Sequence, residues 1–249
     1  MRYGPDAGIL QRLGVFSKCA AAVSVVIGLS VLVGWTLDIP ALLTWGDGTA
    51  MAPNAAACMI FAGLSLWLQS ERHDRSFPSV SKMTARALAA LVSVAGLLTL
   101  GEYIFGPNLR IDRLLLLQSP GPSIVSARTL MSPVAAGAYL LLGLALLGID
   151  WRTKREHWPA QYLCLVSGMV PVFGLLSLVL GPQVSSITLA LPAVVGFLAL
   201  TFGLLCSHPS WAMGGILTRR SPGAKLLRVA LPVALLVSVY LAGLFRNPC

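Results

Sequence analysis

The feature that most limits the fold is a stretch of fifty residues, 158–207, in which no side chain is charged and none is histidine. A helix needs about 20 apolar residues to cross the hydrocarbon core of a bilayer. The stretch is therefore long enough for two crossings, and Gly181 and Pro182 divide it where helices commonly end. In lipid every peptide group must be paired within the chain, so only helices or closed barrels can span. The stretch is continuously apolar, whereas barrel strands alternate, and it predicts two transmembrane helices.

The other apolar stretches extend this interpretation to the whole chain. Charged residues make up only 11% of the sequence, whereas soluble domains carry about 25%, so most of the surface suits lipid rather than water. We predict an all-α, polytopic membrane helix bundle that forms a single transmembrane domain over residues 1–249. Its seven expected transmembrane helices cover residues 16–37, 51–70, 86–105, 131–149, 158–180, 188–207 and 228–245.

The distribution of the 18 lysines and arginines predicts the orientation. Cytoplasmic segments of membrane proteins hold an excess of these residues. With the amino terminus in the cytoplasm, 14 of them fall in cytoplasmic segments, and the other four, Arg110, Arg113, Arg128 and Arg246, fall on the outer side. The net charge of +9 thus reflects topology and contact with anionic lipid. The expected partner is the lipid bilayer, and no nucleic acid is expected.

Three of the expected spans begin alike: a threonine precedes a proline by four residues, and a Gly-Leu pair follows the proline by ten or eleven. The pattern occurs at Thr49 and Pro53, at Thr129 and Pro133, and at Thr188 and Pro192. One occurrence alone fits an ordinary helix start, because proline is tolerated in the first turn and threonine can cap. Three occurrences predict repeated helix-pair units. These helix starts either bind an anionic or carbonyl-bearing ligand on the outer side or serve packing alone.

Polar side chains near the outer ends of the spans are the candidate ligand-binding residues. They are Asn54, Glu102, Tyr103 and Asp112. Ionisable groups at membrane depth are frequently functional. Three of them have a structural alternative: Glu102 is solvated at the interface, Asn54 bonds a neighbouring helix, and Asp112 forms a loop ion pair.

Pro171 lies inside the fifth span, close after Gly168, and predicts a kink. The kink is either static or a signalling hinge. The five cysteines occur singly and the three histidines lie in inner loops, so we expect no metal site and no cofactor. Because no nucleophile–base pair and no phosphate-binding glycine loop is visible, we expect no catalytic residue and no enzymatic activity.

Three stretches combine apolar runs with polar residues in a recognisable order. They are GWTLDIPAL with TAMAPNAA between Gly34 and Ala56, LLTLGEYIFGPNLRIDRLLL from Leu97 to Leu116, and MGGILTRRSPGAKLLRVALP from Met213 to Pro232. These stretches resemble the amino-terminal, membrane-embedded sensory region of bacterial sensor histidine kinases and diguanylate cyclases that contain PAS modules. The resemblance covers nearly the whole chain.

The resemblance implies signal input at a bacterial inner membrane, with Asn54, Glu102, Tyr103 and Asp112 sensing the stimulus. Proteins of this family continue into PAS, kinase or cyclase modules, and these 249 residues carry no signature of one. We therefore expect a non-catalytic sensory domain without its output module, either a fragment or an orphan sensor that acts through a partner. The alternatives are a structural or assembly subunit of a larger membrane complex and a small transporter or channel subunit. The expected assembly is a homodimer or a larger membrane complex.

Overall fold

The described part of the chain is entirely helical. The computed structural model describes residues 7–45, 49–70, 79–105, 131–151, 158–180 and 189–207, and within them the all-α prediction is confirmed, with seven helices and no strand. The helices are α1 (Ala7–Thr36), α2 (Pro40–Thr44), α3 (Pro53–Ser70), α4 (Ser79–Phe105), α5 (Pro133–Leu147), α6 (Pro159–Leu180) and α7 (Leu191–Ser207).

Three of these helices are long and apolar enough to cross a membrane. The qualifying segments are Gln11–Thr36 of α1, Val80–Phe105 of α4 and Pro159–Ser177 of α6, while α5 and α7 are shorter apolar helices. Six of the expected spans overlap a helix, and the seventh, 228–245, lies outside the described residues. The short helix α2 falls in a segment that the sequence pattern assigned to a loop.

The six longer helices pack as a closed ring of three pairs. We call α3, α5 and α7 the central helices and α1, α4 and α6 the peripheral helices. Each peripheral helix contacts two central ones: α1 lies against α7 and α3, α4 against α3 and α5, and α6 against α5 and α7. The central helices also meet one another, since α3 contacts α5 and α7, and Tyr139 of α5 meets Phe197 of α7 with ring centroids 4.4 Å apart.

Glycines set the close approach within the first two pairs. A Cβ atom on Gly28 of α1 would lie 2.8 Å from the carbonyl oxygen of Ala56, and one on Gly96 of α4 would lie 2.7 Å from that of Ala136. Both distances are too short for any side chain, so the backbones touch directly, as small residues allow between membrane helices.

Glycines of the central helices, in turn, lie against backbone carbonyls of the peripheral helices. A Cβ on Gly63 would lie 2.9 Å from the carbonyl oxygen of Ala21, and one on Gly143 would lie 3.0 Å from that of Ala89. In these glycine contacts, adding 68 to the number of the residue in α1 gives the equivalent residue in α4, and adding 80 to the number of the residue in α3 gives the equivalent residue in α5. The two pairs therefore pack in the same register.

The third pair packs in the same register, but here the glycine lies on the peripheral helix α6 rather than on the central helix. A Cβ on Gly168 of α6 would meet Thr201 of α7, where Val25 faces Gly63 in the first pair and Ser93 faces Gly143 in the second. In this register α7 begins at Leu191, at the place of Pro53 and Pro133. Pro192 therefore lies one position later than the threonine–proline pattern predicts.

Candidate functional site at the proline end

The central helices begin, and the peripheral helices end, at one end of the bundle, which we call the proline end. The predicted threonine caps are not found where the structure describes the helix starts. The cap of α5 is Ser132, whose Oγ accepts a hydrogen bond from the Ala135 N–H at 3.2 Å, and Thr49 lies four residues before α3 begins. Thr129 and Thr188 lie outside the described residues.

In each of the first two pairs, one aromatic side chain joins the two helices of the pair at the proline end. The indole N–H of Trp35 donates to the Met51 carbonyl at 2.9 Å, and the Tyr103 hydroxyl donates to the Met131 carbonyl at 3.0 Å. Trp35 and Tyr103 are separated by the 68-residue shift of the peripheral helices, and the two methionines by the 80-residue shift of the central helices. These equivalent contacts, which we call the aromatic ties, join the end of a peripheral helix to the segment that starts its central partner.

The structure places three of the four predicted ligand-binding residues at the proline end. Asn54 lies in the first turn of α3 and is only 6% exposed, whereas Glu102 is half-buried and Tyr103 is exposed near the end of α4. Asp112 lies outside the described residues. A role of these side chains in sensing stays a prediction, although the tie gives Tyr103 a definite structural partner.

A short cap covers the end of the first pair, and the sequence pattern did not predict it. Asp38 and Trp45 bracket α2 in the left-handed backbone region, with φ of 53° and 46°. The Ile39 N–H donates to the Gly34 carbonyl at 2.9 Å, which is the closure that ends many helices after a left-handed residue, usually glycine. The available signal is in the sequence: Gly106 and Gly181, which lie outside the described residues, directly follow the other two peripheral helices.

The cap joins the end of α1 to the start of α3. Leu43 is buried within α2, and its carbonyl accepts the Met51 N–H at 3.1 Å, next to the aromatic tie that uses the Met51 carbonyl. Helix α2 also contacts α7. Non-glycine residues in the left-handed region cost of order 1–3 kcal/mol each and persist where surrounding contacts enforce them.

Three side chains at equivalent positions close the centre of the bundle. They are Met59 of α3, Tyr139 of α5 and Phe197 of α7, all with no exposed area. The Tyr139 hydroxyl donates to the Ala55 carbonyl at 2.8 Å, so its polar end is satisfied. At this level the middle of the bundle is filled by side chains.

Polar groups at the opposite end, which we call the basic end, form a second small network. Ser65 donates to the Ala85 carbonyl at 2.8 Å and accepts from the Gln69 side-chain amide at 2.9 Å. Gln69 is 6% exposed, and its Oε1 accepts no hydrogen bond from the part of the chain that the structure describes. An ion pair between Arg86 and Asp150, 3.4 Å apart, is solvent-exposed and contributes little to stability.

No arrangement of metal ligands occurs in the described ranges, where no three histidine, cysteine or acidic side chains share a site. Cys58 and Cys164 are buried, and the cysteines of these ranges form no disulfide. No protein-family model matches this chain, and neither does any curated protein or any solved structure.

Proposed function

We propose that this chain is a membrane-embedded, non-catalytic signal-input domain of a bacterial inner membrane, which acts on an output module of a longer protein or of a partner. One observation carries the proposal. The residues that resemble the sensory regions of bacterial kinases and cyclases, from Trp35 to Asn54 and around Tyr103, meet at the proline end, where they make the two aromatic ties. Because these ties join separate helices, a stimulus that alters them also alters helix packing.

The proposed topology has seven spans and a cytoplasmic amino terminus. It is supported by the basic side chains near the basic end, among them Lys18 and Arg86, which suit the cytoplasmic surface. The proline end, with Asn54, Glu102 and Tyr103, then faces the outer side, where a stimulus arrives. Labelling of single cysteines with a membrane-impermeant thiol reagent in intact cells tests this orientation. Reaction at position 101 and protection at position 83 are expected, and the reverse pattern would contradict it.

The energy of the aromatic ties is of the size that switching requires. A net hydrogen bond contributes about 0.5–1.5 kcal/mol, so the two ties together contribute about 1–3 kcal/mol. Reversing a 1:99 population completely needs about 5.5 kcal/mol of differential binding. A ligand that takes over both donors therefore supplies a sizeable part of the difference, and contacts with Asn54 or Glu102 supply more.

Co-purification and reconstitution test the function directly. The tagged chain is extracted from its own membrane, and an associated histidine kinase or diguanylate cyclase is expected at a defined stoichiometry. Its activity is then measured in nanodiscs with the wild-type chain, with Asn54→Leu and with Glu102→Gln. Changed output with either variant supports the proposal, and equal output with all three removes these residues as sensors.

The same experiment separates the other two functions. A stoichiometric complex without kinase or cyclase indicates an assembly subunit, and solute flux into liposomes indicates a transporter or channel. The filled centre at Met59, Tyr139 and Phe197 favours the sensory function over a permeation path along the bundle axis.

A further inference from the structure

Helix α6 departs from the other peripheral helices at Pro171. Ser24 of α1 donates to the Gly196 carbonyl at 3.3 Å, and Ser167 of α6 donates to the Ala138 carbonyl at 2.9 Å. Each bond joins a peripheral helix to the central helix of the neighbouring pair, so Ser24 and Ser167 are equivalent. Pro171, four residues after Ser167, therefore stands where α1 has Gly28 and α4 has Gly96.

The exchange of glycine for proline weakens α6 at this point. Pro171 lies inside the helix and has no N–H, so the Ser167 carbonyl loses its helical partner. Sharp bends in helices occur mainly at such prolines. Glycines flank it on both sides, at Gly168 and at Gly174, where α1 and α4 carry Val31 and Thr99. A Cβ on Gly174 would lie 3.0 Å from side-chain atoms of Leu189 and Val194, so in this structure the end of α6 is packed against α7.

The far end of α6 also differs from its equivalents. The positions of Trp35 and Tyr103, which donate the aromatic ties, correspond to position 178 in α6, and residue 178 is leucine. A leucine side chain carries no hydrogen-bond donor. Position 178 therefore offers no donor for a tie like the one that joins the two helices of each of the other pairs at the proline end.

The part of α6 before Pro171 is bonded to both neighbours. Ser167 donates to the Ala138 carbonyl of α5, and the Cys164 thiol lies 3.5 Å from the Thr201 carbonyl of α7. Both contacts lie on the basic side of Pro171. Helix α6 thus has hydrogen bonds to both neighbours before Pro171, a proline without an N–H, and no donor at position 178, where α1 and α4 carry their tie residues.

We propose that the segment from Pro171 to Leu180, which we call the α6 arm, swings about Pro171 and opens the seam between α6 and α7 at the proline end. The arm is the moving element of the signal-input domain, and that part of the inference rests on the proposed function. The movement itself is a property of the bundle and requires no output module. The first two pairs, whose ties are formed in this structure, are the frame against which the arm moves while no ligand takes over the tie donors.

Equivalent positions with room for a label allow the movement to be measured against internal references: five are exposed, and a Cβ on Gly101 would meet nothing within 4 Å. Spin labels are placed in pairs at Val33, Gly101 and Leu176 around the proline end, and at Val23, Leu91 and Val166 around the basic end, one of each set on each peripheral helix. Cys19, Cys206 and Cys249 are replaced by alanine, and the buried Cys58 and Cys164 are left. Distances are recorded by pulsed electron paramagnetic resonance on the full chain in lipid nanodiscs.

The expected result is a broad or two-component distribution for both pairs that include Leu176, with narrow distributions for Val33–Gly101 and for all three basic-end pairs. Leu178→Trp supplies the missing donor and is expected to narrow the Leu176 distributions, whereas Leu178→Phe, of similar bulk without a donor, is not. Pro171→Ala restores the N–H and is expected to act like the tryptophan variant.

Equally narrow distributions at both ends in the wild-type chain would overturn the proposal, whether or not the variants fold. Distributions that are broad for every proline-end pair would also overturn it, because the ties would then hold nothing. A moving arm in a chain that influences no kinase or cyclase would leave this inference standing and remove the proposed function. A rigid arm in a chain that does regulate one would do the opposite.

Discussion

The substitution Gly96→Ala tests the helix packing most sharply, because Gly137 in the facing helix α5 offers a matched control. A Cβ on Gly96 would lie 2.7 Å from both the Ala136 carbonyl oxygen and the Leu140 nitrogen, whereas a Cβ on Gly137 would meet nothing within 4 Å. The obstructing atoms belong to a backbone, so a whole helix has to move. The alanine at 96 therefore separates α4 from α5, and the one at 137 does not.

The magnitude follows from two opposing effects. Replacing a helical glycine by alanine stabilises by roughly 0.5–1 kcal/mol at either site. Overpacking typically costs about 1–3 kcal/mol and acts only at position 96. The backbone effect cancels when the two variants are compared, so Gly96→Ala is expected to be about 1–3 kcal/mol less stable than Gly137→Ala.

Denaturant unfolding of the purified chain in mixed micelles, followed by tryptophan fluorescence, measures this difference. Gly28→Ala provides a second test, because its Cβ would lie 2.8 Å from the Ala56 carbonyl oxygen and the first pair should respond like the second. Equal stability of the alanine variants at 96 and 137 would refute the close packing. A large loss at 96 together with none at 28 would refute the equivalence of the two pairs.

Three further substitutions address single contacts, each measured in the same unfolding assay. Asp38→Gly relieves a left-handed aspartate and is expected to stabilise by about 1 kcal/mol; a loss of stability would show that the Asp38 side chain makes a contact worth more than its strain. Tyr103→Phe removes an aromatic tie and is expected to destabilise by about 0.5–1.5 kcal/mol, with Tyr162→Phe, at an exposed tyrosine of α6, as the neutral control. Gln69→Met removes the unpartnered Oε1 and is expected to stabilise by about 1 kcal/mol, since the equivalent residue Ile149 is already apolar and buried; a marked loss would mean that a donor occupies the site.

The positions of helices could be predicted from the sequence because the apolar stretches are long and their ends carry proline, glycine or charge. Pro53 and Pro133 begin their helices as expected. Helix α7 begins at Leu191, one residue before Pro192, and proline is tolerated within the first turn of a helix. The pattern therefore could not fix the register there.

The division into central and peripheral helices could not be predicted from the apolar stretches. In water, a buried helix face is apolar and an exposed face is polar, but in lipid both faces are apolar. The sequence did hold a usable signal in the peripheral helices, where Gly28 and Trp35 recur as Gly96 and Tyr103. The threonine–proline pattern describes the starts of the central helices. It could not predict the ties, because their donors lie on the peripheral helices.

The polar residues of the candidate site could be predicted from the sequence, but the contacts that they make could not. Tyr103 was chosen as a polar residue near the outer side, and the structure gives it a bond to Met131 that no spacing rule predicts, since the two residues are separated by 28 positions. The cap α2 was missed because its five residues, PALLT, are too few for a periodic pattern. The left-handed Asp38 was missed for a different reason, because aspartate is a rarer choice than glycine at that position.

The asymmetry among the three pairs bears on how a stimulus acts on such a bundle. In a ring of three equal pairs, a ligand of modest affinity shifts no seam in preference to another. Here two seams carry a tie between carbonyl and aromatic donor, and the third has leucine at position 178 and proline at position 171. A ligand shifts an equilibrium only by its differential affinity for two states. The seam with the smallest free-energy difference between its closed and open states therefore responds first. Helix α6 thus differs from the other two peripheral helices at these two positions, although its sequence is as apolar as theirs.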